Sequence, residues 1–333
     1  MRRWSSIAMV LLMTFLLSAC AGRAEGNGRA EADDGVIHFK LGYVNGVDSP
    51  VGVTAEKMKA LLAQRMPQYT IDIYPSGQLG GERDMIEATQ LGIQDLCITA
   101  TTPLANFVPS LTPGELLYLI QDYDHADAVY QGEIGRQWLE DFQKSDLIGL
   151  GFTEVGFRQL CTNKPVNAPE DLEGMKLRVM ECKMHVNGWK SLGCDSITMG
   201  WSDAYAGVQQ KTIDAVEVPY CLIFANSVYE ICSYVAETNH IYTAQAMIMS
   251  EAAWKQMNRE EQKIWEECAR DACAYGRDYS RNKEAEYKQS VIDAGVSITQ
   301  PDLSSFRKGA ESYYGLYSGE YGDIISRIQE LAR

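Results

Sequence analysis

Short apolar runs typical of β-strands alternate with amphipathic helical segments along this 333-residue chain. Strand-like runs lie at Val36–Val44, Thr70–Tyr74 and Asp95–Thr99, and helical patterns at Val51–Gln64 and Glu82–Leu91 separate them. Such alternation favours parallel strands joined by helical crossovers, because each crossover helix covers a face of the sheet. The sequence therefore predicts an α/β fold.

The same alternation continues through the second half of the chain. It predicts one helix over Ala126–Lys144 and two separate strands at Leu147–Thr153 and Phe157–Thr162. A capping-box sequence, Asn258-Arg-Glu-Glu261, should open a long helix that runs toward Ser290. The other expected elements are strands at Lys176–Met180 and Ile213–Val218, and helices at Pro169–Leu172, Lys183–Leu192 and Ser202–Gln210.

Composition and charge limit the possible partners. The chain is 46% hydrophobic and 23% charged, like an average soluble globular protein, and it is long enough for about two domains. Its 30 basic and 45 acidic residues give a net charge of −15, so nucleic acid is not an expected partner, because phosphate binding needs a basic surface. An anionic ligand would need positive charge placed locally.

The N-terminus has the pattern of an export sequence. Arg2 and Arg3 precede an apolar run, Ile7–Leu17, which is shorter than a membrane span. The small residues before Cys20 resemble a lipobox, so residues 1–19 are predicted to be a lipoprotein signal peptide and Cys20 to carry the lipid. The alternative is an ordinary signal peptide that contains a cysteine by chance.

Residues 20–35 are small, polar and rich in glycine, which predicts a flexible tether. No later segment reaches the ~18 apolar residues that a membrane-spanning helix needs. The folded part is therefore expected to be periplasmic or otherwise extracytoplasmic, anchored to the membrane through lipidated Cys20.

Patterns of catalytic or metal-binding residues do not emerge. The eight remaining cysteines include no C-x-x-C pair, which argues against a zinc or iron–sulfur site, and they are expected to be mostly free thiols. Cys182 and His185 could share a helix face, but the sequence offers no third group to orient them. Dinucleotide, Walker, H-E-x-x-H and G-x-S-x-G motifs are missing. No catalytic residue, metal or cofactor is predicted.

Two arginines lie inside apolar strand-like segments. Arg158 follows Gly156-Phe, and Arg178 follows Lys176-Leu. A buried guanidinium is costly unless its charge is paired. Each arginine could pair with an Asp or Glu of the protein, or could hold a ligand carboxylate through two parallel hydrogen bonds. Their spacing alone does not decide between these interpretations.

Seven segments together resemble the substrate-binding proteins of tripartite ATP-independent periplasmic (TRAP) transporters, the DctP family. The resemblance covers roughly residues 36–320 and implies a two-lobed periplasmic-binding-protein fold, with a ligand cleft between the lobes and a long connecting helix. The segments, in order, are Tyr74-Pro-Ser-Gly-Gln-Leu-Gly-Gly-Glu-Arg83, Gly156-Phe-Arg158, Pro169-Glu-Asp-Leu-Glu-Gly-Met-Lys-Leu-Arg178-Val, Leu192-Gly, Met199-Gly-Trp-Ser-Asp-Ala-Tyr205, Gln209-Gln and Ile213-Asp-Ala.

The resemblance also implies domain boundaries and a first set of binding residues. Lobe I is expected to comprise residues 36–155 plus 244–283, and lobe II residues 156–243 plus 284–333. By position in the family's motifs, Arg178 grips the substrate carboxylate and Arg158 assists in the same cleft. Trp201 packs on the substrate body, and Glu82 lies where a residue often hydrogen-bonds the ligand.

Four more residues complete the candidate ligand-binding set, namely Glu217, Glu181, Tyr220 and Asn45. Glu217 is retained in a motif where Val218 replaces the family's usual amide. Glu181 would repel a carboxylate unless it accepts a hydrogen bond from a hydroxyl or ammonium group, or points elsewhere. Sugar acids, hydroxy or oxo acids and aromatic acids all fit such a set.

The implied function is capture of a small organic carboxylate and its delivery to the membrane permease of a TRAP transporter. An acidic residue marks the sialic-acid-binding branch at the position of Ala100, so sialic acid is disfavoured. A ligand-binding sensory protein that serves a receptor would share the same fold and pocket. A secreted enzyme is the third interpretation, and it lacks a recognisable catalytic motif.

Overall fold

A computed structural model describes residues 35–332 of the chain, so the signal peptide and nearly all of the tether proposed above lie outside the described residues. Within that range the chain alternates ten strands with twelve α-helices, which confirms the α/β class. The strands are β1 (Ile37–Gly42), β2 (Tyr69–Tyr74), β3 (Leu96–Ala100), β4 (Leu147–Thr162), β5 (Lys176–Val179), β6 (Asp195–Thr198), β7 (Ala215–Pro219), β8 (Tyr234–Ala236), β9 (Tyr242–Ser250) and β10 (Ser297–Thr299).

The helices cover the sheet and connect its parallel strands, as expected for crossovers. They are α1 (Pro50–Arg65), α2 (Glu82–Gln90), α3 (Thr101–Leu104), α4 (Tyr123–Tyr130), α5 (Glu133–Asp141), α6 (Lys183–Ser191), α7 (Trp201–Gln209), α8 (Tyr220–Ala225), α9 (Glu251–Trp254), α10 (Arg259–Asp293), α11 (Leu303–Tyr314) and α12 (Ser318–Glu330).

The sheet has two parallel groups of strands on either side of an antiparallel pair. Its order is β2-β1-β3-β9-β4-β7-β5-β6, and β8 and β10 pair off this path next to β4. On one side β1 pairs in parallel with β2 and β3, and on the other β5 pairs in parallel with β6 and β7. The strands β9 and β4 lie between the two groups and are antiparallel to each other. Together they make the sheet continuous from one group to the other.

The strand β4 is continuous, whereas the sequence predicted two strands with a break between them. It pairs with β9 as far as Phe157 and with β7 from Arg158 onward. The apparent break is a register shift between Glu154 and Gly156, where Gly156 takes a φ of +91° that favours glycine. The bulge changes the strand's direction without ending its pairing, so one strand serves both sides of the sheet.

The single helix predicted over Ala126–Lys144 is also wrong in its extent. The segment forms two helices, α4 and α5, because Gly132 between them is extended and serves as the N-cap of α5. The apolar residues on either side keep helical spacing, which is why the pattern read as one helix.

The capping box at Asn258 opens α10 as predicted. The side-chain oxygen of Asn258 accepts from the amides of Glu260 and Glu261, and Glu261 accepts from the amide of Asn258 in return. The 35-residue helix packs on α1 and β4 and also on α8, so it contacts both sides of the sheet. None of the helices within residues 35–332 has the apolar length needed to cross a membrane.

A charged network fixes α10 to the centre of β4. Arg281 donates to Asp127 at 2.7 Å and to Glu154 at 2.8 Å, and Tyr242 donates to the same Glu154 carboxylate at 2.7 Å. Glu154 is fully buried, so its charge depends on these donors. The network therefore holds the long helix at the point where β4 passes between the two strand groups.

The eight cysteines in the described chain are buried and free, in agreement with the expectation that they behave as small core residues.

Gly276 of α10 lies close against two buried threonines, which allows a test of packing. A Cβ atom at Gly276 would lie 1.9 Å from Thr54 Oγ1 and 2.6 Å from Thr153 Oγ1, and both threonines are buried and hydrogen-bonded to each other. Gly276→Ala should lower the free energy of unfolding by about 1–3 kcal/mol through overpacking. Gly322→Ala, in a helix position with open space around it, should raise it by up to about 1 kcal/mol. Urea unfolding measures both, and equal stabilisation by the two alanines would contradict the packing argument.

Candidate functional site

A cavity of about 480 Å³, which includes space open to solvent, lies between the two parallel strand groups. The first group contributes residues at the ends of β1 and β3 and at the start of α2, and the second contributes β5, β7 and the start of α7. Ligands of α/β sheets characteristically bind outside the carboxyl ends of the strands. The remaining wall comes from β4 and β9, which connect the groups, and from Leu222 and Asn226 in and after α8.

Five of the predicted binding residues line this one cavity, namely Asn45, Glu82, Arg158, Arg178 and Trp201. Glu181 lines an adjoining open space of about 1800 Å³ that shares Glu82, Arg178 and Trp201 with the cavity. The side chain of Glu181 is 48% exposed and lies 3.8 Å from Arg83, so it borders this open space and not the cavity that holds Arg158.

Arg178 is buried without an ionic partner. Its Nε donates to the carbonyl of Met199 at 2.8 Å, and its guanidinium carbon lies 5.6 Å from the ring centroid of Trp201. Among residues 35–332, no carboxylate lies within ion-pair distance and no group accepts from its terminal nitrogens. Burial lowers the pKa of Arg178 to about 10, which still leaves it protonated at neutral pH. The cavity thus contains a buried guanidinium with no direct ion pair and with free terminal donors.

Arg158 has the opposite environment, because Glu217 neutralises it. The Nε and one terminal nitrogen of Arg158 donate to the Glu217 carboxylate, and that terminal nitrogen also donates to the Glu217 carbonyl. His240 Nε2 lies 3.0 Å from the same carboxylate, and its Nδ1 lies 2.8 Å from the Thr238 hydroxyl. All four side chains are almost completely buried. One arginine of the pair is therefore held by the protein.

The pKa values of this cluster follow from burial and charge. Burial alone would raise the pKa of Glu217, but Arg158 and His240 hold it well below its usual range. Burial lowers the pKa of His240, which favours a neutral ring that accepts from Thr238 and donates to Glu217.

Two predicted residues do not reach the cavity, and strand geometry explains the first. Side chains alternate along β7, so Glu217 and the cavity-lining Val218 lie on different faces of the strand, and the Glu217 carboxylate is held behind the cavity wall by Arg158 and His240. Tyr220 is buried at the start of α8 and donates to Glu237 at 2.9 Å. Neither side chain is placed to contact a ligand directly.

Glu82 occupies the start of α2 and presents one free oxygen. Its Oε1 accepts from the amide of Ala100 at 3.0 Å and from the Thr99 hydroxyl at 3.3 Å, whereas Oε2 has no partner in the described part of the chain. Burial raises the pKa of Glu82, and the hydrogen bond from Ala100 and the charge of Arg178 oppose that shift. The residue can accept a hydrogen bond from a ligand.

Sequence reasoning missed two polar residues of the cavity wall, Thr243 and Gln245 on β9. Every residue of β9 is buried. The signal in the sequence is a polar side chain within a strand that is otherwise mostly apolar. Because buried polar groups need hydrogen-bond partners, such a residue could have been predicted to contact a ligand.

Comparison with known proteins agrees with this geometry. Residues 41–319 match the family model described as bacterial extracellular solute-binding protein, family 7, or DctP. Among curated proteins, the chain is 28% identical to the sialic acid-binding periplasmic protein SiaP of Vibrio cholerae, over 87% of this chain and 91% of that protein.

Solved structures share the fold. A TRAP periplasmic solute-binding protein from Polaromonas, bound to D-erythronate, is 32% identical with a TM-score of 0.87, covering 89% of this chain and 99% of the other. One from Citrobacter koseri, with bound D-glucuronate, is 28% identical with a TM-score of 0.85, covering 88% and 99%. The chain therefore belongs to the DctP family of bacterial extracellular solute-binding proteins, the TRAP transporter proteins, and has their two-lobed fold.

Proposed function

We propose that this protein captures one small organic carboxylate between its lobes and delivers it to the membrane permease of a TRAP transporter. The observation that carries the proposal is Arg178, a buried guanidinium with free donors in a cavity lined from both lobes. A carboxylate matches the planar fork of a guanidinium and supplies the acceptors that its terminal nitrogens lack. The acidic protein thus binds an anion through one locally unpaired cation.

The cavity walls indicate a small acid with polar and apolar parts. Trp201 lies beside Arg178 and offers a flat apolar face, while Val155 and Leu222 line the cavity elsewhere. Asn45 and the free oxygen of Glu82 can hydrogen-bond the ligand. Sugar acids, hydroxy or oxo acids and aromatic acids meet this description, and the Polaromonas and Citrobacter relatives bind D-erythronate and D-glucuronate.

Ligand capture would close the lobes. We assign residues 36–155 plus 244–283 to lobe I and 156–243 plus 284–333 to lobe II, a division supported by the change of β4 partners between Phe157 and Arg158. A ligand held by Arg178 from one lobe and Glu82 from the other has more contacts in the closed form, so binding shifts the population toward closure. A permease can then distinguish loaded from empty protein by shape.

Export and anchoring complete the proposal. Residues 1–19 would direct secretion, and lipidated Cys20 would tie the protein to the membrane through the tether of residues 20–35. The extracytoplasmic location of the family supports this placement, because a solute-binding protein of a transporter binds its ligand outside the cytoplasm.

Removing the charge of Arg178 should abolish tight binding without harming the fold. Arg178→Met keeps an apolar stem and removes a buried unpaired cation, so it should not lower the melting temperature of the free protein. Affinity should fall at least about tenfold, because a charged hydrogen bond contributes roughly 1.5–3 kcal/mol. Calorimetry with an acid selected by thermal-shift screening measures this. Arg327→Ala, on the surface beside Glu133, is the control with the same change of charge; wild-type affinity in Arg178→Met would refute the proposal.

Breaking the other arginine pair should instead damage stability. Glu217→Gln leaves Arg158 buried without a full counter-charge and should cost about 3–5 kcal/mol at pH 7. The folded-state pKa of Glu217 lies below its ordinary value near 4.5, so its contribution is present above that pH and is lost as pH falls through the folded-state value. In Glu217→Gln the free energy of unfolding should therefore fall less between pH 7 and pH 3 than it does in the wild-type protein.

Urea unfolding between pH 3 and pH 7 measures both effects of Glu217→Gln. Glu87→Gln, which removes an exposed pair with Arg83, should change stability little. A Glu217→Gln protein as stable as wild type across this range would show that the pair is not structural.

Replacing Cys20 should release the protein from the membrane. Cys20→Ala removes the only thiol in the proposed lipobox, so the exported protein should move from the membrane fraction to the soluble extracytoplasmic fraction. Fractionation and immunoblotting measure this, with Ser6→Ala as a control in the same leader. Unchanged membrane association of Cys20→Ala would contradict lipid anchoring.

A further inference from the structure

We propose that Thr243 and Gln245 form a hydroxyl-binding subsite opposite the carboxylate grip, and that the captured acid is therefore a hydroxy or polyhydroxy acid. The inference rests on the proposed function, because it assumes that a carboxylate occupies Arg178. It narrows the ligand to one of the classes that the cavity shape leaves open.

The backbone of β9 places both side chains in the cavity. Positions two apart on a strand share a face, and Thr243 and Gln245 continue the row that contains Met247 and Met249. The two methionines pack in the core of lobe I, whereas the polar pair lines the cavity. The row of side chains on this face of β9 is thus apolar in the core and polar where it lines the cavity.

The strand pairing holds this subsite rigidly. Gln245 lies opposite Ala100 of β3 and Thr153 of β4, and Thr243 lies opposite Gly156 at the β4 bulge. Because β9 is paired on both sides at Gln245 and with β4 at Thr243, the two side chains project from fixed backbone positions. A site on such a rigid element can discriminate between ligands that differ by a single group.

Both side chains are buried and lack partners. Thr243 is 2% exposed and Gln245 is 4% exposed, and neither Thr243 Oγ1 nor Gln245 Oε1 has a hydrogen-bond partner among residues 35–332. A buried polar atom without a partner is costly, so a valine and a methionine would pack these positions better in a purely structural role. The polar atoms therefore point to a group that arrives from outside the chain.

The chemistry of these atoms identifies a hydroxyl. The amide of Gln245 offers an NH2 donor group and a carbonyl acceptor whichever way it is oriented, and the Thr243 hydroxyl can act as either donor or acceptor. A ligand hydroxyl both donates and accepts, so it satisfies the pair, whereas an oxo group only accepts and leaves the amide oxygen unpaired. An alkyl chain or an aromatic ring satisfies neither residue.

A second carboxylate is disfavoured by the same wall. It would only accept hydrogen bonds, and it would share the cavity with Glu82, whose free oxygen is also an acceptor. Hydroxyl groups can instead donate to Glu82 as well as to Gln245. The arrangement selects a monocarboxylate whose remaining carbons carry hydroxyls.

The test compares matched acids on the wild-type protein by calorimetry. The probes are erythronate and glucuronate, their alkyl counterparts butyrate and hexanoate, the dicarboxylates succinate and adipate, and benzoate. We expect at least one hydroxylated acid to bind at least about tenfold more tightly than its alkyl and dicarboxylate counterparts, because a site built to bond a hydroxyl rejects analogues that lack it. Equal or tighter binding of the alkyl acids, dicarboxylates or benzoate would overturn the inference.

Two substitutions that keep the shape of the side chain test whether Gln245 and Thr243 cause the preference for hydroxylated acids. Gln245→Met and Thr243→Val should each weaken binding of the hydroxylated acid by about tenfold, and should leave the affinity for the alkyl acid unchanged or higher. Neither should lower the melting temperature of the free protein. Gln68→Met, at an exposed position, is the control that should change nothing.

The outcomes separate this inference from the function on which it rests. If both variants lower the affinity for all acids equally, or for none, the hydroxyl-binding subsite is refuted. Loss of binding in Arg178→Met would still support carboxylate capture. If no acid of the panel binds the wild-type protein, both the subsite and the carboxylate function are contradicted.

Discussion

The ion pair between Arg158 and Glu217 determines the charge of the cleft, and the rest of the site depends on it. Two arginines line the same buried cavity, and two unpaired cations there would repel each other and lose their hydration. Glu217 neutralises Arg158, and His240 donates to the same carboxylate. The result is a cavity in which one guanidinium, that of Arg178, keeps free donors beside the carboxyl group of Glu82.

The strand β4 carries Arg158 and runs through both sides of the sheet. Its first part pairs with β9 and its second with β7, so Arg158, which holds Glu217, belongs to the strand that links the two parallel strand groups. Arg281 fixes the long helix α10 to Glu154 just before the bulge. The bulge therefore lies between the part of β4 that α10 anchors and the part that carries Arg158.

Local patterns predicted much of the fold, and they were wrong where tertiary contacts overrode them. The capping box at Asn258 and the alternation of strands with helices were read correctly, because both depend on neighbouring residues. The helix break at Gly132 and the continuity of β4 were missed. In β4, pairing with β9 and β7 carries the strand through a bulge that looks like a turn in isolation.

The sequence by itself determined the fold class, the family and the two arginines, since these follow from periodicity and from short motifs in order. Only the tertiary structure decided which arginine is free, because the partner of Arg158 lies 59 residues away on another strand. It likewise turned Glu217 away from the cavity and brought Thr243 and Gln245 into it. Whether a buried polar group has a partner depends on side chains that are distant along the chain, and local sequence does not encode their geometry.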